Sequence, residues 1–234
     1  NQINSGSTTK TITVTNAVTS SAAGNFYGGS YYFDGTGDYL TVSAHSDLSL
    51  QGDFTIELWM DMTATETDMR QISSNNYYTA GKDGNWYFGL NTTNTDEYVF
   101  YSYDGQGSGE DVSINLTTAP VLNKWYHLAA VRSGSTLTLY LDGISVGSGT
   151  VSKGLDDGAD GGLSIGKVAN TASGSHGDHN GYIQDVRIYN GVAKYTEDFI
   201  PASTNPDILP ETPSGVSYGS QLTKVTDGAV EFEG

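Results

Sequence analysis

The stretch KWYHLAAVRSGSTLTLYLDG (residues 124–143) decides the fold of this 234-residue chain. Its second half, TLTLYL (136–141), alternates leucine with Thr or Tyr, which is the two-residue period of a half-buried strand. Asp142-Gly143 follows at once, and an Asp-Gly pair suits a type I′ hairpin turn because both central residues need positive φ. The stretch therefore predicts antiparallel strands joined by tight turns.

Similar β-forming runs recur along the whole chain. They are TITVT (11–15), DYLTVS (38–43), FTIELWMDM (54–62), NWYFGL (85–90), EYVFYSY (97–103), DVSINL (111–116), LSIG (163–166) and YIQDVRIY (182–189). No stretch sustains the 3.6-residue period of a helix, and at most one helical turn is expected near GVAKYTEDF (191–199). The pattern predicts an all-β chain folded as a two-sheet antiparallel sandwich.

The charge of the chain excludes some classes of partner. It carries 27 acidic and 10 basic residues, a formal net charge of −17. Nucleic-acid phosphates and anionic membrane surfaces both require clustered Lys and Arg, so neither is an expected partner. The chain has no cysteine and therefore no disulfide. Its acidic loops are suited to divalent cations.

The domain organisation follows from a change of composition near Pro201. PASTNPDILPETPSG contains four of the five prolines, which is typical of a linker. Further on, GAVEFEG repeats the pattern of GSYYFDG, which indicates a tandem repeat; the alternative is chance similarity of two short β segments. We expect an N-terminal strand and lead-in, a sandwich domain, a Pro-rich linker and the start of a second repeat (1–23, 24–200, 201–215 and 216–234).

Strand parity predicts which side chains meet the core. In FTIELWM the apolar face carries Phe54, Ile56, Leu58 and Met60, so Glu57, Trp59 and Asp61 lie on the opposite face. In the last long run, Val186 and Ile188 suit the core, whereas Asp185 and Arg187 face away. One sheet is therefore expected to present Glu57, Trp59, Asp61 and Arg187 on its outer face.

Five segments, in order along residues 24–200, resemble successive strands of laminin-G-like domains of the concanavalin A-like superfamily. The segments are YFDGTGDYLTV, DFTIELWM, KWYHLAAVRSGSTLTLYLDG, LSIGK and NGYIQDVRIYNGVAKYT. The resemblance implies a jelly-roll sandwich of two curved antiparallel sheets, in a family whose members mostly bind glycans or proteins without catalysis. The FDGTGDYL opening and the IYNGVAKYT close resemble modules of bacteriophage tail fibres and other virion proteins.

The catalytic patterns are incomplete, so no enzyme activity is expected. Retaining glycosidases of this superfamily carry two carboxylates in an E-x-D-x-x-E pattern, but Glu57 is followed by Trp59 and Met62 at those offsets. GLSIG (162–166) matches G-x-S-x-G, yet no helix is predicted after it to form a nucleophile elbow. A glycoside hydrolase remains the less favoured alternative.

Calcium is the expected cofactor, and Asp156, Asp157 and Asp160 in a Gly-rich loop are its candidate ligands. The loop departs from an EF-hand because Lys167 stands at the twelfth position, so a solvated acidic turn is the favoured interpretation and calcium binding is the alternative. Related sandwiches hold calcium between the FDG region and an Asp of the last strand. Gln184 stands at that position here, which weakens this site.

Two further acidic or histidine motifs have alternative readings. His176-x-x-His179 has a ligand-like spacing for a transition metal, although no further partner is evident. FDGTGD (33–38) is interpreted as a turn between two strands rather than as a ligand site.

A glycan site needs aromatic rings for stacking and planar polar groups for hydroxyls. The candidate ligand-binding residues are Asn75, Asn76, Tyr77, Tyr78, Tyr101, Tyr103 and Asp104. The alternatives are a protein interface, where tyrosine is also enriched, and ordinary half-buried strand residues. Trp59, Trp86 and Trp125 are expected to pack in the core.

These observations predict a non-catalytic adhesion or recognition module, glycan-binding, in a larger virion or extracellular surface protein. The expected partners are a cell-surface glycan or protein receptor and neighbouring copies or other virion proteins, with no membrane insertion. The alternative is a structural or decoration module of a phage capsid or tail fibre.

Overall fold

The chain forms two antiparallel sheets. The computed structural model describes residues 10–25, 29–64, 69–74, 85–91, 97–103, 109–115, 120–155, 162–168, 178–201, 215–217, 222–224 and 230–232. Within these residues the secondary structure is β-strand apart from one 3-10 turn, Ser46–Leu48. The predicted all-β fold is therefore confirmed. No helix in this described part is long and apolar enough to cross a membrane.

The chain passes several times between the two sheets. In order, the strands are β1 Ile12–Thr15, β2 Val18–Ser20, β3 Ser30–Asp34, β4 Tyr39–Val42, β5 Phe54–Met62, β6 Ile72–Ser74, β7 Asn85–Asn91, β8 Glu97–Tyr103, β9 Gly109–Asn115, β10 Trp125–Ser133, β11 Thr136–Leu141, β12 Ile144–Thr150, β13 Leu163–Ile165, β14 Asn180–Asn190, β15 Phe199–Pro201, β16 Gly215–Ser217, β17 Leu222–Lys224 and β18 Val230–Phe232. The first sheet has the order β1-β4-β13-β6-β7-β8-β9, and the second has β12-β11-β10-β5-β14-β3-β2, with β6 to β9 together in the first sheet and β10 to β12 together in the second. β15 pairs with β16 and β17 with β18 in two short hairpins.

The predicted hairpin joins β11 to β12. Asp142 has φ 51° and Gly143 has φ 81°, so both central residues adopt the left-handed region that a type I′ turn requires. Gly143 is needed for a second reason. A Cβ atom there would lie 2.0 Å from the carbonyl oxygen of Phe199, so only glycine allows the later part of the chain to approach this turn.

The core lies between the two sheets and follows the predicted parity. Phe54, Ile56, Leu58 and Met60 of β5 are fully buried and face the first sheet, as alternation predicts. Trp86 of β7 also packs in this core, which confirms the expectation for that tryptophan. Burial of this apolar surface is the main favourable contribution to folding.

The expected burial is found for Trp59, but the expectation that Trp125 belongs to the core is not met. Both lie on the outer face of the second sheet, since Trp59 pairs with His127 and Trp125 with Asp61. Trp59 is nevertheless buried, whereas Trp125 is partly exposed.

A β-bulge in β14 changes which of its side chains face outward. Gln184 pairs with Trp59 but Arg187 pairs with Glu57, so one extra residue is inserted between them. Asp185 takes φ 54° at this point. Before the bulge the outward-facing side chains are at even positions, and after it they are at odd positions. Tyr182 therefore faces outward.

The segment that follows β14, residues 191–201, is here called the C-terminal strap. It contains no helical turn and runs across the outer face of the second sheet. The hydroxyl of Thr55 donates to the carbonyl of Val192 (2.9 Å) and accepts from the backbone N–H of Lys194 (2.9 Å). The backbone N–H of Phe199 donates to the carbonyl of Gly143 (2.9 Å).

Candidate functional site

The carboxylates of the FDGTGD turn are engaged in holding the turn. The Asp34 carboxylate accepts from the N–H of Thr36 (2.7 Å), and that of Asp38 accepts from the N–H of Asp34 (2.9 Å). Asp178 accepts from the N–H of Gly37 (2.6 Å). The turn carries the chain from β3 of the second sheet to β4 of the first, which agrees with its interpretation as an architectural element.

The predicted metal ligands lie mostly outside the described residues. This applies to Asp156, Asp157, Asp160 and His176. Among the residues that are described, no group of three or more His, Asp or Glu side chains is arranged to hold a metal ion. Gln184 instead bonds the backbone: its side chain accepts from the N–H of Asn25 (3.0 Å) and donates to the carbonyl of Gly29.

His179 is a buried core histidine. Its Nε2 lies 3.3 Å from the carbonyl oxygen of Tyr182, and its ring meets the edge of Phe33. Burial lowers the pKa of His179 to about 4, and the backbone hydrogen bonds only partly oppose this. The ring is therefore neutral at pH 7.

The outer face of the second sheet carries a buried ion pair under the strap. Glu57 is fully buried, and its carboxylate lies 2.7 Å from Nζ of Lys194 in the strap. Nε2 of His127, also fully buried, lies 3.6 Å from the other carboxylate oxygen. Around them the strap residues Tyr195 and Phe199 pack against an apolar cluster on β10 and β11.

The environment keeps Glu57 ionised. Burial alone would raise the pKa of its carboxyl, but the adjacent His127 and Lys194 together hold that pKa well below its usual range. Glu57, Trp59, Asp61 and Arg187 do share the outer face as predicted. Glu57 and Trp59 are buried there, however, so the open outer surface expected at these two positions is absent.

The outer face of the first sheet carries a row of hydroxyl-bearing side chains. Each member lies directly opposite the next on the neighbouring strand, from β1 across to β8. The row consists of Thr13, Thr41, Ser164, Ser73, Tyr87 and Tyr101. The apolar neighbours of these residues on β4, β13, β6, β7 and β8 face the core, so the row lies on the outer side of the sheet, where Ser164, Ser73 and Tyr87 are nevertheless buried.

The row ends in a stacked aromatic pair. The rings of Tyr87 and Tyr101 are 5.2 Å apart and nearly parallel, at 15°. The guanidinium carbon of Arg70 lies 4.6 Å from the centre of the Tyr87 ring. Tyr87 is buried with Val99, whereas Tyr101 is partly exposed. Arg70 is buried as well, so the ring of Tyr101 is the part of this group that a ligand can reach.

The structure includes only part of the predicted ligand site. Tyr101 lies in this row, and Tyr103 lies two residues further along β8. Asn75, Asn76, Tyr77, Tyr78 and Asp104 lie outside the described residues. Tyr87 and Arg70 were not identified from the sequence. The signal that could have identified Tyr87 is the hairpin formed by the NWYFGL and EYVFYSY runs, in which Tyr87 pairs with Tyr101.

Two seven-stranded antiparallel sheets packed around one core define a concanavalin A-like sandwich. Residues 33–197 match the Laminin_G_3 family of the concanavalin A-like lectin/glucanases superfamily. This match covers most of the chain, and the chain therefore belongs to that family.

Similarity to individual proteins is more distant. The chain is 29% identical over 123 residues to mouse pappalysin-1, an alignment that spans 49% of this chain and 7% of pappalysin-1. Domain 4 of AbnA, a GH43 extracellular arabinanase from Geobacillus stearothermophilus, matches with a TM-score of 0.57, 16% identity and 86% coverage of each chain. The LG4-5 domains of mouse laminin alpha1 match with a TM-score of 0.52 and 16% identity, over 68% of this chain and 40% of that one. These structural likenesses show the fold.

Removing the strap's charged contact is expected to destabilise the fold. Lys194→Met leaves Glu57 buried without its 2.7 Å partner, and breaking a buried pair in this way typically costs about 3–5 kcal/mol. Lys124→Met, which removes an exposed lysine from a 3.7 Å pair with Asp142, should cost less than about 1 kcal/mol. Urea unfolding of both variants measures the two losses. Equal losses of unfolding free energy would contradict a stabilising role for the contact between Lys194 and Glu57.

Acid is expected to destabilise the protein through His179. The unfolded chain takes up a proton near pH 6.5 and the folded chain only near pH 4, so stability falls as the pH is lowered between these values. The full loss amounts to about 3 kcal/mol. His179→Gln should flatten this part of the pH profile. A profile that His179→Gln leaves unchanged would refute the assignment.

Proposed function

We propose that the protein is a non-catalytic recognition module that binds a glycan through the outer face of the first sheet. The observation that carries this proposal is the stacked Tyr87–Tyr101 pair at the end of the hydroxyl row. Sugar rings place their C–H faces on aromatic rings, and a tyrosine hydroxyl can donate a hydrogen bond to a sugar hydroxyl or accept one from it. Tyr101, which is partly exposed, is the contact residue in this proposal.

The buried environment of Glu57 supports a non-catalytic role. A glycosidase nucleophile or acid must reach the glycosidic bond. The Glu57 carboxylate is instead fully buried and bonded to Lys194 of the strap. Its low pKa also makes it a poor proton donor at neutral pH.

The module is proposed to act at an extracellular or virion surface, as part of a larger protein. The support is its family and the likeness of its opening and closing segments to tail-fibre modules. Its partner would be a cell-surface glycan, and the net charge of −17 favours a neutral one. Domain 4 of AbnA was solved in complex with arabinotriose, which makes that trisaccharide a reasonable first ligand to test.

A structural or decoration role is the second candidate. Its specific support is the edge strand β1 of the first sheet, where Ile12 and Val14 are 39% and 44% exposed. Exposed apolar residues on an edge strand favour contact with another chain. In this role the module would contact neighbouring copies or other virion proteins.

Replacement of Tyr101 is expected to weaken glycan binding. Tyr101→Ala removes the exposed ring of the pair, and an aromatic contact of about 0.5–1.5 kcal/mol corresponds to roughly threefold to tenfold in affinity. Tyr101→Phe keeps the ring and should retain most binding. The measurement is a glycan-array screen followed by calorimetry with arabinotriose and any array hit. Unchanged affinity in a folded Tyr101→Ala variant, or no binding to any glycan, would reject the proposal.

We also propose that calcium is bound through Asp156, Asp157 and Asp160. A ligand at 100 times its dissociation constant stabilises the folded state by about 2.7 kcal/mol, so added calcium should raise the melting temperature and EDTA should lower it. Replacing all three residues with Asn should remove this response, and magnesium at equal concentration is the ionic-strength control. A melting temperature that changes with neither calcium nor EDTA would count against the site.

A further inference from the structure

A second aromatic surface lies on the outer face of the second sheet, at the opposite end of β5 from the start of the strap. Four residues stand directly opposite one another across β3, β14, β5 and β10. They are Tyr32, Tyr182, Asp61 and Trp125. The strap contacts the other end of this face, at Thr55 and Glu57.

The rings of this row form a continuous strip. Tyr32 and Tyr182 have ring centres 5.1 Å apart, and Tyr182 and Trp125 have ring centres 6.5 Å apart. All three side chains are partly exposed. Because β5 lies between β14 and β10, Tyr182 and Trp125 flank Asp61. Their close approach explains why this carboxyl is only 8% exposed.

Asp61 carries the second observation that points to a ligand. Its Oδ1 is buried and has no hydrogen-bond partner within the described part of the chain, although the backbone N–H of Lys124 bonds the carboxyl group. Buried polar atoms are normally paired, and an unpaired acceptor is costly. A ligand that brings a hydroxyl or N–H donor would satisfy it.

The chemistry of the strip favours a carbohydrate. Tyrosine and tryptophan present a flat apolar face together with a polar edge, which suits the alternating C–H and hydroxyl surfaces of a sugar ring. Carboxyl oxygens accept hydrogen bonds from sugar hydroxyls, while the net charge of −17 opposes an acidic glycan.

We propose that Tyr32, Tyr182 and Trp125 form a binding platform for a neutral oligosaccharide that lies across β3, β14 and β10. Asp61 accepts a hydrogen bond from one of its hydroxyls. This platform is separate from the Tyr87–Tyr101 pair, because the outer faces of the two sheets point in opposite directions. The two surfaces can therefore hold two glycan chains at once.

Tryptophan fluorescence offers a selective readout for the platform. Trp59 and Trp86 are only 5% and 1% exposed, whereas Trp125 is partly exposed. Acrylamide quenching therefore reports mainly on Trp125. The probes are arabinotriose, xylotriose, cellotriose, maltotriose and chitotriose, titrated into the full chain.

We expect at least one of these trisaccharides to protect Trp125 from acrylamide in a saturable way. Tyr182→Ala should weaken this protection by about threefold to tenfold, since it removes the central ring. Tyr182→Phe keeps the ring and should retain the protection. Where Tyr182→Ala lowers the melting temperature, Tyr32→Ala at the end of the strip gives the same comparison.

The Tyr101→Ala variant separates this proposal from the proposed function. If a trisaccharide still protects Trp125 in the Tyr101→Ala variant, it binds at the platform. This holds even where the variant has lost glycan-array binding at the first sheet. The platform is overturned if none of the five trisaccharides protects Trp125 at millimolar concentration. It is equally overturned if protection is unchanged in a folded Tyr182→Ala or Tyr32→Ala variant.

Discussion

The burial of β5 on both faces is the constraint on which the rest of the structure depends. All nine residues of this strand are buried, although its outer face carries Glu57, Trp59 and Asp61. The inner face is covered by the first sheet, as in any sandwich. The outer face needs separate cover because an ionised carboxylate at Glu57 is tolerated only with a charged partner. Lys194 of the C-terminal strap supplies that partner.

The cover over β5 divides the outer face of the second sheet into two regions. The strap occupies the region around Thr55 and Glu57, where it is fixed by backbone hydrogen bonds, a charged contact and aromatic packing. The region around Asp61 lies beyond the strap, and partly exposed rings flank it there. The outer face of the second sheet therefore has one region that the strap closes and one region with partly exposed aromatic rings.

Much of the fold could be predicted from the sequence because β structure has a short period. The runs that alternate in FTIELWMDM and TLTLYLD appear as β5 and β11, and Asp142-Gly143 forms the hairpin turn. The prediction was less complete where a local irregularity or a distant contact decides the outcome. The bulge at Asp185 reverses the parity of β14 upstream of it, and no residue-type pattern marks its position.

The candidate binding surfaces could be predicted only in part. Tyr101 was identified from composition, but Tyr87 joins it through cross-strand register, which a single strand does not reveal. Trp125 was expected in the core because the laminin-G-like domains that the sequence resembles have a packed aromatic at that position, yet it lies at the outer face beside Asp61. The contribution of Asn75 to Tyr78 stays a prediction.

We propose that the aromatic outer faces bind sugar, whereas the buried charged cluster under the strap serves the fold. Amide chemical-shift mapping of the 24.8 kDa chain during titration with a bound trisaccharide tests it most directly. We expect shifts in β7 and β8, or in β3, β14 and the start of β10, with the strap at 191–201 unaffected. Shifts concentrated in the strap and around Glu57, with both aromatic surfaces unchanged, would contradict it.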